Sequence, residues 1–428
     1  MMRRLSLALL LLAACTSKRG ATGWAAEVPA DAVRYAEAPV APPPVVVPEA
    51  PKVEAAAPPV PEKVVWDAGV AAPIEVTLWH AYRAAEKDAL EKVIAAWNAL
   101  GTKVTVKLRV VPFDAMNDKI TVVVPEGRGP DLFIFAHDLV GAWSEMGFIE
   151  PLNTWTSEAD TAQFLPATVG ALVYKSALYG LPLAFKCVAL YYNKAFIDAP
   201  PRDLEGLIAA AKKAGDGEGR YGLVYEAANL YFHAPWIHGY GAQVLTPDGK
   251  ALIDSPEAVS ALALAKRLVS TEKVTPTGIT TAMVSGYFND GKAAMAINGP
   301  WMRGEIAETV NYGVAPLPFV AEGQPARPYL GVEAVFLNKQ ASPEKKAAAF
   351  ALARFLVSDA SALIRFEVGK QPVANKAIWA GGGIDPAMQA FRDQAEQAVV
   401  MPSSPRMQQI WTPYNDALLS VISGDTSP

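Results

Sequence analysis

Cysteine is almost absent. Only Cys15 and Cys187 occur in 428 residues, so a domain that leaves out the first of them has no internal disulfide and must be held by packing. Histidine is nearly as scarce: His80, His137, His233 and His238. The last two are five apart, which does not place them on one helix face, and no Cys or Glu stands at metal-ligand spacing, so no metal site is expected. Basic clusters are missing too. With 38 basic against 43 acidic residues and a net charge of -5, the chain has no footprint for nucleic acid. No glycine-rich phosphate loop is present: Gly127 and Gly129 fall in a turn before a strand, the wrong side for a dinucleotide fingerprint. A Gly-x-Ser-x-Gly elbow is also lacking, and carboxylate pairs carry no meaning here without geometry. These absences point away from an enzyme and from any cofactor. The apolar run Leu5 to Ala14 is about half of the roughly 20 residues a membrane span needs.

That run follows Arg3 and Arg4 and ends at Cys15; the charged, apolar, small order is that of a secretory signal peptide over 1–14. Leu12-Ala13-Ala14-Cys15 resembles the bacterial lipobox, in which cleavage leaves a lipid-modified Cys at the new N-terminus. More than one acyl chain on Cys15 would give stable membrane attachment, so the expected location is outside the cytoplasm, anchored to the envelope at its periplasmic face or the cell surface. From 15 to 72, Ala, Val, Pro and Glu dominate, with prolines at Pro39, Pro42, Pro43, Pro44, Pro48, Pro51, Pro58, Pro59 and Pro61. This composition predicts a semi-rigid extended tether.

From 73 onward about 350 residues remain, too many for one core and natural for two lobes. Ile74 to Trp79 alternates as a strand, Ala84 to Leu100 has helical spacing stopped by Gly101, and Val104 to Val110 is a second strand. This is a βαβ unit. Asp131 to Phe135 is apolar on both faces, as buried strands are. Farther on, Val188 to Tyr192 and Ala293 to Ile297 read as strands. Asp203 to Ala214, Pro256 to Val269 and Ser342 to Val357 read as helices, the last with Ser at its N-cap and Pro in its first turn.

Aromatic residues stand beside loop-forming ones: Trp79 and Tyr82 after the first strand, Tyr231, Phe232 and Trp236 in mid-chain, Trp301 after Asn298-Gly299-Pro300, and Trp411 and Tyr414 near the end. Aromatic faces suit the apolar faces of sugar rings, and Asp, Asn and Arg suit their hydroxyls.

Gly129-Pro130-Asp131 through Ala136-His137-Asp138, Tyr191-Tyr192-Asn193-Lys194 and Phe288 to Trp301 resemble, in order and spacing, segments of the maltose-type solute-binding proteins of bacterial ABC sugar importers. The resemblance runs from about 74 to about 423. It implies an α/β, two-lobed periplasmic-binding-protein fold of type II, each lobe a mixed sheet flanked by helices, with three hinge crossings near Phe185 to Val188, Tyr329 to Glu333 and Gly381 to Asp385. The implied N-terminal lobe is 73–185 with 333–383, and the C-terminal lobe 186–332 with 384–428.

Residue by residue, the resemblance makes Asp138 a hydroxyl acceptor and Tyr231, Trp301 and Trp411 stacking positions; Tyr82, the aromatic after the first strand, is a further expected sugar contact. Phe135 stands where maltodextrin binders have Trp, Arg83 where they have Asp, Leu139 where they have Arg, Lys186 and Asn229 where they have Glu, and Asn415 where they have Arg. These changes alter the hydroxyl pattern a site would accept. The expected partners are an α-linked di- or oligosaccharide, ABC permease subunits and, through the lipid, a membrane; the protein is expected to be a monomer. A ligand sensor of the same fold and a carbohydrate-active enzyme are the alternatives. Cys187 reads as a small buried hydrophobe.

Overall fold

Period-two alternation at the first strand sets the architecture. β1 (Ile74–His80) buries Val76 and Leu78 and leaves Glu75 exposed, the pattern of a strand with one covered face. The computed structural model describes residues 69–217, 219–246 and 249–428; Cys15, the signal sequence 1–14 and the linker up to residue 68 lie outside the described residues.

Helix α1 (Ala84–Ala99) returns the chain to β2 (Val104–Val110), which pairs with β1 in parallel from Ile74 opposite Val104 to His80 opposite Val110. The helix turns Ala89, Leu90, Val93, Ile94 and Trp97 inward, a stripe at helical spacing. The Trp97 indole N–H donates to the Val104 carbonyl at 2.9 Å. Helix α2 (Phe113–Val123) then leads to β3 (Leu132–Ala136), which lies on the other side of β1, again parallel.

β4 (Gly180–Lys186) ends the first run of this sheet, and Cys187 and Val188 connect it directly to β5 (Ala189–Asn193) of a second sheet. That sheet also contains β6 (Tyr221–Val224), β7 (Ala293–Asn298) and β8 (Tyr312–Ala315), in the order β8-β5-β7-β6. The chain comes back through β9 (Tyr329–Leu337), nine residues all buried, and adds β10 (Val399–Val400). The first sheet has the order β10-β9-β3-β1-β2, with β4 also paired to β9. Two mixed sheets, each with helices and its own apolar core, make the fold two-lobed α/β as expected. Trp143 packs edge-on against Phe133 and Phe336 in one core, and Trp236 is fully buried in the other.

Local chemistry explains the element ends. Ser342 accepts from the Lys345 N–H, with Pro343 at the first helical position, so the helix Pro343–Leu356 starts where its cap stands, a device worth about 1 kcal/mol. The helix expected over 256 to 269 ends its α-helical part at Lys266 and continues as a π-turn, Arg267–Thr271. There Arg267 is drawn to both Glu205 and Glu272, and the Ser270 hydroxyl donates to the Ile422 carbonyl. Among the described residues no single helix is long and apolar enough to cross a membrane.

Candidate ligand cleft between the two sheets

β1, β2 and β3 run parallel, so their C-terminal ends open on one edge of the sheet, the edge at which open α/β sheets bind ligands. Tyr82 and Arg83 follow β1, Phe113 follows β2, and Asp138 follows β3. The turn after β1 is tight: Ala84 has φ 45°, a left-handed conformation uncommon for a residue with a side chain. Tyr82 is held inward there, its backbone N–H donating to His80 Nδ1 at 3.2 Å.

Lys186, at the end of β4, joins this edge to the second sheet. Its ammonium is 2.9 Å from Glu86 of α1 and 2.8 Å from Glu333 of β9. It also lies 5.6 Å from the Tyr82 ring centroid and 5.5 Å from that of Trp301, within cation–π range. Burial opposes the charge on Lys186, but Glu333 and Glu86 outweigh it and raise the pKa above the usual lysine value. Burial pushes the Glu333 carboxyl upward, with Lys186 acting against the shift. Gln371 donates from Nε2 to Glu86 at 3.2 Å, which leaves its Oε1, the Glu333 Oε2 and the Tyr82 hydroxyl buried without a well-formed partner.

Across the cleft the side chains are aromatic. Trp301 faces Tyr231 at 6.4 Å and Phe232 at 6.5 Å between ring centroids. Gly299 makes its position possible: a Cβ there would stand 2.1 Å from the Trp301 ring, so the indole folds down where only glycine leaves room. The Tyr231 hydroxyl has its pKa raised by burial first, and then by charges that include Glu333 and Asp138. Asp138, itself raised by burial, accepts from Gln408 Nε2 at 3.2 Å, three residues before Trp411. Trp411 packs at 6.0 Å against Tyr329, the first residue of β9.

The structure therefore brings Tyr82, Asp138, Lys186, Tyr231 and Trp301 together, with Trp411 behind Gln408. Lys186 does not point to solvent; its side chain, 13% exposed, lies among Glu86, Glu333, Tyr82 and Trp301. The other four expected positions have different tasks. Phe135 is 5% exposed, covered by Phe113 and Trp143, so its ring cannot present a face to the cleft. Asn229 accepts from the Tyr231 N–H at 3.0 Å and donates to Glu226, and Asn415 accepts from the Leu230 N–H at 2.7 Å. Both cap the helix Leu230–Gly239 with their amide oxygens and so position Tyr231. Arg83 pairs with Glu305 beside Trp301, with 58% of its side chain exposed. Leu139 is buried.

Glu86, Glu333, Gln371, Gln408 and Phe113 were not anticipated. The helical face of α1 hides Glu86, and β9 reads as continuous apolar strand; a lone Glu333 in that run was the available signal. His137 pins β9 to the segment after β10. Its Nδ1 accepts from the Val332 N–H at 3.0 Å, so Nε2–H donates to the Met401 carbonyl at 2.8 Å. Segments outside the sheets also meet: a Cβ on Gly304, in the turn Pro300–Gly304, would lie 2.9 Å from that of Ala85 in α1, and the Gly141 N–H donates to the Ser403 carbonyl. Cys187 is buried, and burial pushes its thiol up. Among the described residues no group of three or more His, Cys, Asp or Glu could hold a metal ion.

Comparison with known proteins agrees with this geometry. A family model described as bacterial extracellular solute-binding protein matches residues 92–387. The maltotriose-binding protein of Pyrococcus abyssi is 26% identical over 360 residues, covering 81% of this chain and 77% of its own length. A galactooligosaccharide-binding protein of Bacillus subtilis is 27% identical over 344 residues, covering 76% and 80%. The structure of the Thermus thermophilus maltotriose binding protein bound with maltotriose superposes with a TM-score of 0.76 at 29% identity, covering 82% of this chain and 95% of that one. These relatives are binding proteins and not enzymes.

Proposed function

The chain belongs to the bacterial extracellular solute-binding protein family, and from that premise we propose that it captures an α-linked di- or oligosaccharide and hands it to an ABC permease. One observation carries the reading: a charged floor, the side chains of Asp138, Lys186, Glu86 and Glu333, lies against an aromatic wall, the side chains of Tyr231 and Trp301, where segments of the two sheets meet. Sugars need both surfaces, an apolar face to stack and hydroxyls to pair. The maltotriose named for the Pyrococcus and Thermus proteins favours α-glucans. The Bacillus relative makes galacto-oligosaccharides the first competitor to test.

Three backbone passages between the sheets, near residues 185–188, 329–333 and 381–385, are the hinges about which the lobes 73–185 with 333–383 and 186–332 with 384–428 close. Cys15 carries the lipid anchor, the Pro-rich segment spaces the domain from the bilayer, and the protein works as a monomer.

A thermal-shift screen of maltose, maltotriose, maltotetraose and galacto-oligosaccharides tests the ligand class. A sugar at 100 times its dissociation constant adds about 2.7 kcal/mol of stability. No shift with any of them, and none by calorimetric titration, would overturn the sugar reading.

A further inference from the structure

Phe113 opens α2 just beyond β2, and 54% of it is exposed. Its neighbour at the end of β2, Val110, is 51% exposed. A single exposed apolar side chain needs no explanation, but the setting of this one is particular. Its ring lies flat on Phe135, 4.6 Å between centroids and 25° between planes, and Phe135 is itself packed against Trp143 and 5% exposed. The Phe113 ring is thus held in place from behind and shows its outer face to solvent. It does so at the edge where β1, β2 and β3 end, with Phe135 only three residues before Asp138 and Tyr82 on the adjoining loop.

Resting on the sugar reading above, we propose that the outer face of Phe113 is a stacking platform for one further sugar ring, beyond those bound between the charged floor and Trp301. Phe135 then acts as the backing that fixes the platform. The site is selective for chain length: an oligosaccharide long enough to reach Phe113 gains a contact that a shorter one lacks. A rigid aromatic face lowers the ordering cost of such a contact, which the backing by Phe135 supplies.

Calorimetric titration of wild type, Phe113→Ala and Phe113→Trp with maltose, maltotriose and maltotetraose, and with a matching galacto-oligosaccharide series, tests this. In whichever series binds, Phe113→Ala should weaken the longest sugar by about tenfold and the shortest by less than about twofold, while Phe113→Trp keeps the preference for length. Because the ring is half exposed, the melting temperature of the unliganded Phe113→Ala protein should stay within a few degrees of wild type. Equal losses at every length, or no loss, would overturn the platform while leaving the sugar reading intact. Failure of wild type to bind either series would overturn both.

Discussion

On the side of the first sheet the cleft presents charge: Asp138 after β3, Glu333 in β9, Glu86 on α1, and Lys186 shared between the last two. On the side of the second sheet it presents rings, Tyr231, Phe232 and Trp301, with no ion pair among them. The two surfaces do different work. Stacking tolerates many sugars, because every pyranose has an apolar face, whereas a buried carboxylate or ammonium rejects a hydroxyl pattern that leaves it unpaired. The aromatic wall therefore sets the class of ligand, and the charged floor chooses within it.

The strongest way to break that contrast is acid, which should strike both sides alike. His80 and His137 belong to the first sheet's side, His233 and His238 to the second's, and burial holds each near pKa 4. Above about pH 6.5 these imidazoles are neutral folded or unfolded. As pH falls from about 6.5 toward 4, the unfolded chain takes up protons that the folded chain refuses, so stability is lost across that window. At about 1.4 kcal/mol per pKa unit, each histidine contributes on the order of 3 kcal/mol. Asp138 and Glu333 oppose the loss, since their raised pKa values favour the folded form as pH falls. Denaturant melts at pH 7 and pH 4.5 should still differ by several kcal/mol, and a flat profile would show that the histidines are not held neutral.

Next in size is the floor itself. Lys186→Met leaves Glu86 and Glu333 buried without their cation, a loss of about 3–5 kcal/mol at pH 7. The deficit should shrink as pH falls, because burial already raises the Glu333 carboxyl and a protonated Glu333 no longer needs the ammonium. A loss under about 1 kcal/mol would mean that water, rather than Lys186, satisfies the pair.

Binding changes at the two walls should be smaller and of different kinds. Trp301→Ala should weaken every accepted sugar by about 1–3 kcal/mol. Asp138→Asn should cost about as much for some sugars and little for others, changing their ranking, because it replaces a charged acceptor by a neutral one. Titration of both variants against the same panel separates the roles. A uniform loss for Asp138→Asn would abolish the division between class and choice.

How far the sequence reveals this arrangement follows the same contrast. The sheets and the aromatic wall announce themselves through period-two runs and through Asn298-Gly299-Pro300-Trp301, where chain-local patterns suffice. Tyr231 was legible for the same reason. Of the charged floor only Asp138 and Lys186 stood at expected positions; their partners did not. Glu86 comes from a helix, Lys186 and Glu333 from two strands, and Gln371 from the segment beyond the helix Asp359–Glu367, and no spacing along the chain relates them. Asn229 and Asn415, polar residues at expected site positions, have their amide oxygens on one helix N-terminus, a use that no motif reveals. Phe135 fails for lack of depth information, since a motif gives a residue's place along β3 and not the ring that Phe113 lays over it.

Arg83 should give the smallest effect, and it tests whether the charged side reaches the ligand at its rim. Its Nε bonds Glu305 across the cleft, and Glu305 is held independently by the Ser285 hydroxyl and by its own carbonyl's bond from Asn289. Removing Arg83 leaves Glu305 ordered and in contact with water, so no buried charge is stranded. Exposed pairs of this kind are worth about 0.2–1 kcal/mol, and this one forms between residues on opposite sides, so its loss should appear in sugar affinity more than in melting temperature. Arg83→Ala is expected to weaken binding by no more than about fivefold at low ionic strength. The difference should fade in about 1 M salt, where the screening length is only about 3 Å. A loss of tenfold or more that survives high salt would place the guanidinium on the sugar itself and extend the charged floor out to the rim.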